Sequence, residues 1–263
     1  MLRKVVFVAV VLSFGLSTYG DPVDLTSWSP LTLDFPTGQG AGSWVLGGGN
    51  TYVDQIYNAD PSFYLNNLNQ TNYSMDGSWE VRTTSDDDFM GFVFGYQNSS
   101  NFYLFDWKRG TQSSYGGYAN AGMTIKKMTG STGNGLNDLS LGEFWENAAD
   151  LGDMEVLAQN QGSGLGWASN TLYDFHLDFN QNPGEIHIVV EQGSTTLWDY
   201  TLYDSTFLSG QFGFYNFSQQ SVRYAGFEQT GGVLVPVPVP GAFILGFLGL
   251  GYAGMKLRKR EEA

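Results

Sequence analysis

The sequence predicts an all-β antiparallel jelly-roll sandwich, and three observations lead there. Aromatic residues make up 16% of the chain, a class that packs well on a pleated, half-buried surface. Its 35 glycines fall largely in clusters with Asn, Asp and Ser that read as turns. Between those clusters, short segments alternate apolar with polar residues, the period of a strand with one buried face. No internal period of roughly 20 to 50 residues appears, which argues against solenoids and propellers.

The elements follow in order. Trp28, Trp44-Val45 and Val53-Asp54-Gln55 mark the first strands, and an Asp60-Pro61 turn leads into Ser62 to Leu65. Trp79 to Thr83 alternates, Phe92-Val93-Phe94 reads as a strand buried on both faces, and Phe102 to Lys108 alternates again. Leu141 to Gln159 carries an irregular, helix-like mixture built on Phe144, Trp145, Leu151, Met154 and Leu157. Strands then follow over Tyr173 to Phe179, Glu185 to Glu191, Leu197 to Tyr203 and Phe212 to Phe217, with turns at Asn182-Pro183-Gly184 and Gln192-Gly193-Ser194. In the clearest of them Ile186, Ile188 and Val190 face one way, and Glu185, His187 and Glu191 the other.

Charge and chain ends set the setting. Residues 21–240 hold 24 acidic and 6 basic residues, a net charge of −18, which disfavours nucleic acid and anionic lipid as partners. There is no Cys, so neither disulfides nor thiolate metal sites contribute. Arg3 and Lys4, the apolar run Val5 to Leu16, and small residues at Thr18 and Gly20 predict a signal peptide over 1–20. A body over 21–232 follows, then a Pro/Val spacer over 233–240, whose Pro residues favour an extended form. The tail over 241–263 has an apolar stretch, Gly241 to Met255, then Lys256, Arg258, Lys259 and Arg260. As a helix that stretch spans roughly 22 Å, short of the ~30 Å hydrocarbon core, with its basic cluster on the cytoplasmic side. Val237-Pro238-Val239-Pro240 followed by this tail resembles the PEP-CTERM sorting signal of Gram-negative bacteria. Val239 stands where that family usually has Glu. The resemblance implies an exosortase-type processing enzyme, membrane contact through the tail, and export to the cell surface, outer membrane or extracellular matrix.

The residues richest in chemistry are Asp86-Asp87-Asp88. Three adjacent carboxylates repel one another, and a hard cation that takes their oxygens as ligands offsets that cost, with Ca2+ the natural choice; the alternative is a solvated turn. The run Asp86-Asp87-Asp88-Phe89-Met90-Gly91-Phe92-Val93-Phe94-Gly95-Tyr96-Gln97-Asn98-Ser99-Ser100-Asn101-Phe102-Tyr103, followed by Trp107-Lys108, resembles the C-terminal domain of thrombospondins. The likeness is specific from Asp86 to Lys108 and looser to Glu228, with Gly213 to Gln219 similar to the last-strand segment that ends in Phe-Ser-Gln. It implies a concanavalin A-like, L-type-lectin-like jelly roll that binds Ca2+, with Asp86, Asp87 and Asp88 as metal ligands. Asp106 replaces an apolar residue of that pattern, on the strand face opposite Trp107; a solvated side chain is expected there, with an extra ligand as the alternative.

Catalysis is not expected. Laminarinase-type hydrolases on this fold carry Glu-x-Asp-x-Glu along one strand face. The nearest approach, Asp153-Met154-Glu155, has Leu151 in the nucleophile position. His176 and His187 fall at the polar phase of strands and are expected to face solvent. A glycan platform of aromatic rings is sought among loop residues, at Tyr115, Tyr118 and Trp167. The expected function is a non-catalytic lectin-like surface or matrix protein that contacts extracellular polysaccharide or matrix components, in adhesion or biofilm. The alternatives are a structural protein making protein contacts, and a glycoside hydrolase.

Overall fold

The computed structural model describes residues 21–236, with side chains from residue 23. The expected signal peptide, the end of the spacer and the 241–263 tail lie outside the described residues. Among the described residues no helix is long and apolar enough to cross a membrane.

Of seventeen strands, fifteen build two large antiparallel sheets. The first half of the chain supplies β1 (Asp21–Pro22), β2 (Ser29–Thr32), β3 (Trp44–Leu46), β4 (Tyr52–Gln55), β5 (Ser62–Leu65), β6 (Gln70–Val81), β7 (Phe89–Asn98), β8 (Asn101–Lys108), β9 (Gln112–Ser114), β10 (Gly117–Ala119) and β11 (Gly122–Thr129). The second half supplies β12 (Met154–Gln161), β13 (Leu172–Asn180), β14 (Glu185–Gln192), β15 (Thr195–Tyr203), β16 (Gln211–Phe217) and β17 (Val222–Leu234). One sheet runs β15-β14-β13-β6-β17-β4-β3 with β1 added on β17, and the other runs β12-β11-β8-β7-β16-β5-β2, while β9 and β10 pair only with each other. Chain neighbours that are not sheet neighbours, such as β5 and β6, cross from one sheet to the other, which gives the expected jelly roll.

The main core lies between the sheets. Trp79 of β6 stacks on Phe175 of β13 at 4.9 Å and lies 5.7 Å from Phe105 of β8, joining the two layers. Phe92 lies 4.8 Å from both Phe105 and Phe175. A second apolar cluster covers the outer face of the seven-stranded sheet, where Phe63, Phe89, Phe102, Leu104 and Phe217 meet Phe144 and Trp145. Strands β7, β8 and β16 are therefore buried on both faces. For Phe92-Val93-Phe94 the sequence predicts this; for β8 and β16 it suggests a single buried face.

Glycine permits the tight centre of this sheet. A Cβ on Gly91 would lie 2.0 Å from the backbone oxygen of Phe105, so β7 and β8 approach there only without a side chain. Gly95 has φ +57°, where the ladder between β7 and β8 shifts register, a conformation that glycine adopts at little cost.

Two stretches take definite form. The irregular, helix-like stretch from Leu141 to Gln159 divides: Leu141–Trp145 forms a five-residue helix, α2, opened by a capping box between Ser140 and Glu143, and Met154 begins β12. An earlier helix, α1 (Gly135–Asp138), precedes it. The apolar residues of this stretch follow no helical period because Phe144, Trp145 and Met154 plug the second core from two elements. At the other end, β17 pairs with β6 as far as Leu234, and the Val235 N–H donates to the Asn69 carbonyl at 2.8 Å. The sheet thus extends into the stretch read as spacer.

Asp204, just after β15, ties the two layers together. Its Oδ1 accepts hydrogen bonds from the Tyr103 hydroxyl (2.5 Å) and the Thr206 N–H (2.8 Å), and Oδ2 meets Lys127 Nζ at 2.9 Å. Burial alone would raise this carboxyl, but these bonds outweigh it and hold the group well below its usual value of 3.8. A depressed folded-state value contributes stability that is present above the unfolded value and lost as pH falls. We expect Asp204→Asn to lower stability at neutral pH in urea unfolding, and the gap to the wild type to narrow below about pH 4. A gap that stays constant down to about pH 2 would assign the loss to geometry instead of charge.

Candidate functional site

Asp86, Asp87 and Asp88 close the turn from β6 into β7 at one end of the sandwich. One carboxylate oxygen from each lies within 4.8 Å of the others. The turn is held by residues far away in sequence. The Asp88 N–H donates to Gln219 Oε1 (2.9 Å), and the Gln220 N–H donates to Asp86 Oδ2 (3.4 Å). The Trp167 indole N–H donates to the Asp88 carbonyl (3.0 Å), and Arg109 donates to the Asp86 carbonyl (3.3 Å) and the Ser169 hydroxyl (3.0 Å). The three stretches quoted for the sequence resemblance thus meet at one point: the acidic turn, the Trp107-Lys108 pair and the Phe217-Ser218-Gln219 segment.

Trp107 and Lys108 point to opposite faces of β8. Trp107 enters the main core against Tyr173, 4.6 Å away, and its N–H donates to the Leu165 carbonyl at 2.8 Å. Lys108 is fully buried on the other face, with Nζ 2.6 Å from Asp88 Oδ1 and 3.9 Å from Asp87 Oδ1. The Trp145 and Phe89 rings lie 4.6 and 5.1 Å from that ammonium. Lys108 therefore occupies one oxygen of Asp88, while the Asp87 side chain is 48% exposed and Asp86 is half-buried. Burial, and then the charge of Asp88, push Asp86 up to about 6.

This donor set fits a hard cation. Its oxygens converge, two of the three carboxylates reach solvent, and Asp86 carries a burial and repulsion cost that a divalent ion offsets. Asp86 and Asp87 would supply the ligands nearest solvent, while Asp88, anchored by Lys108, would supply its free oxygen.

Asp106 corrects an expectation. It does lie on the face opposite Trp107, but it is neither solvated nor beside the triad. It is fully buried, with Oδ2 2.7 Å from Lys126 Nζ. Burial raises Asp106 and lowers Lys126, each toward its neutral form. The second core, which the sequence did not announce, makes the polar phase of β8 an interior position.

The three aromatic candidates separate. Tyr118 of β10 is 45% exposed. Tyr115 sits at the turn between β9 and β10 with φ +51°, partly exposed and partly packed on Trp145 and Phe217. Trp145 in turn lies 4.6 Å from the Lys108 ammonium that pairs with Asp88, which puts Tyr115 on the same end as the triad, and its hydroxyl is raised by burial and then by the charges of Asp60 and Asp88. Trp167 is 1% exposed and lies under Arg109, 5.4 Å from the guanidinium carbon. It offers no face for stacking and serves to position the acidic turn. Glu155, from the weak hydrolase-like match, pairs with Lys127 at 2.8 Å.

Lys108, Gln219 and Arg109 were not singled out from sequence, although Lys108 and Gln219 fall inside the resembling segments. We expect Lys108→Met, which leaves Asp88 without its ammonium, to cost about 3–5 kcal/mol of stability in denaturant unfolding. A cost below about 1 kcal/mol would show that Asp88 is balanced by another group.

Comparison with known proteins places this arrangement. The family model described as "Thrombospondin C-terminal region" matches residues 39–230. Thrombospondin-2 of Gallus gallus is 30% identical over 189 residues, which covers 70% of this chain and 16% of that protein. Cartilage oligomeric matrix protein of Bos taurus is 27% identical over 189 residues, covering 70% of this chain and 25% of that protein. The chain thus spans a small part of the length of these relatives. Among solved structures, the carbohydrate-binding module CBM66 from Bacillus subtilis aligns with TM-score 0.49 and 12% identity, over 78% of this chain and 96% of that one. The VIP36 exoplasmic/lumenal domain, in its Ca2+/Man3GlcNAc-bound form, aligns with TM-score 0.49 and 8% identity, over 83% and 88%. Likenesses at this level carry no weight for function.

Proposed function

Since this chain belongs to the thrombospondin C-terminal family, we propose that it is a non-catalytic binding module, stabilised by Ca2+ at Asp86, Asp87 and Asp88. The observation that carries this reading is the convergence of those three carboxylates within 4.8 Å on a turn clamped by Lys108, Trp167 and Gln219. Ca2+ takes six to eight oxygen ligands, and waters complete the set. On this reading the ion braces the acidic turn, which Gln219, Trp167 and Lys108 tie to distant segments, and so helps to set the shape of that end of the sandwich.

The ligand is proposed to be extracellular polysaccharide or another matrix component, met at that same end. Tyr118 presents an open ring and Tyr115 a partly open one. Rings of this kind stack on the C–H faces of sugars while neighbouring polar groups bond the hydroxyls. Export, membrane contact and processing by an exosortase-type enzyme belong to the same proposal and rest on the two chain ends read from sequence.

Two measurements test it. Calorimetric titration of the purified full chain is expected to show saturable Ca2+ binding that raises Tm by roughly 5–10 °C at a hundredfold excess over Kd. Asp86→Asn with Asp87→Asn should abolish both effects, and an unchanged titration in that variant would move the site elsewhere. Retention on immobilised bacterial exopolysaccharide should require Ca2+ and fall roughly two- to tenfold in Tyr118→Ala, the worth of one aromatic contact. Retention indifferent to both changes would sink the ligand assignment while leaving the Ca2+ site standing.

A further inference from the structure

The outer face of the eight-stranded sheet carries a second, chemically different cluster. Strand register places Asp76 of β6 beside His176 of β13, and Asp178 of β13 between Ser74 of β6 and His187 of β14. Asp199 of β15 lies next along, two strands from β13. His176 Nε2 and His187 Nδ1 converge on a single oxygen, Asp178 Oδ2, at 3.1 and 3.3 Å. Donor atoms from His176, Asp178 and His187 all lie within 4.8 Å of one another. In a tetrahedral site with bonds of about 2.0–2.1 Å, neighbouring ligand atoms stand roughly 3.3 Å apart. The two nitrogen–oxygen separations, 3.1 and 3.3 Å, lie close to that value.

The outward-facing atoms of the same residues are also engaged. His176 Nδ1 meets Asp76 Oδ1 at 2.7 Å, His187 Nε2 meets Asp199 Oδ1 at 2.9 Å, and Asp178 Oδ1 accepts the Ser74 hydroxyl. A histidine that ligates a metal through one nitrogen commonly donates its other N–H to a carboxylate, which fixes the tautomer and strengthens the ligand. Both imidazoles here have that partner, each supplied by a neighbouring strand.

We propose that His176, Asp178 and His187 form a binding site for a divalent ion of the zinc class, with Asp76 and Asp199 orienting the two imidazoles. Nitrogen donors separate it from the oxygen-only triad of the acidic turn, since imidazole suits Zn2+, Ni2+ or Cu2+, whereas Ca2+ takes oxygen. Three protein ligands leave a fourth position for water or for a donor from another molecule. The ion would clip β13 to β14 across the open face of the sheet. This inference is independent of the proposed Ca2+ function.

The test uses the full chain stripped with chelator and titrated with Co2+, whose visible absorption reports tetrahedral nitrogen and oxygen ligation, followed by displacement with Zn2+. One equivalent of Co2+ should give a saturable band that Zn2+ removes. His187→Gln should lose the band, and Asp199→Asn, which changes only an orienting carboxylate, should weaken binding roughly 10- to 100-fold. Asp86→Asn with Asp87→Asn should leave the band unchanged. Absence of a saturable band in the wild type, or a band that survives His187→Gln with the fold intact by circular dichroism, would overturn the assignment.

Discussion

The buried contact between Lys108 and Asp88 is the constraint around which this end of the molecule is organised. An ammonium and a carboxylate removed from water are tolerable only when paired at short range and hydrogen-bonded, and here the pairing decides where the acidic turn lies. Asp88 is pinned by Lys108 from beneath, its amide by Gln219 and its carbonyl by Trp167. Asp86, half-buried, and Asp87, more open, are thereby left nearer solvent without a close cationic partner of their own. The Phe89 and Trp145 rings that seal the ammonium belong to the second core, so the helix that supplies Trp145 supports the site without touching the carboxylates.

That second core accounts for much of what alternation of polar and apolar residues conveys and what it hides. β13 and β14 were legible because one face meets the core and the other meets solvent, so their pattern has period two. β8 also alternates, yet Asp106 and Lys108 face inward, because their charges are cancelled by partners on β11 and on the acidic turn. A pattern reader sees a polar residue and infers water. Only the covering layer shows otherwise, and its residues lie in the loops and the short helix, where periodicity carries least information.

The two clusters were legible to different degrees for a related reason. The acidic turn is contiguous, so three letters reveal it, although its clamps at Lys108, Trp167 and Gln219 come from distant segments. The histidine cluster is scattered over β6, β13, β14 and β15, and His176 and His187 are neighbours only through strand register. Each histidine alone is an ordinary polar strand residue. Their relation exists only once Asp178 is known to lie opposite His187.

The reach of the Gln219 contact also has a bearing on time. The bond from Asp88 to Gln219 joins residues 131 positions apart, and at ordinary rates of synthesis that interval amounts to on the order of ten seconds. Throughout it the acidic turn exists without the strand end that closes it, and β7 without its neighbour β16. Contacts of such long range also slow the folding search itself. The end of the sandwich that carries the triad is therefore among the last parts of the domain able to assemble, and a nascent chain presents Asp86, Asp87 and Asp88 as open, fully hydrated acids long before it presents them as a site.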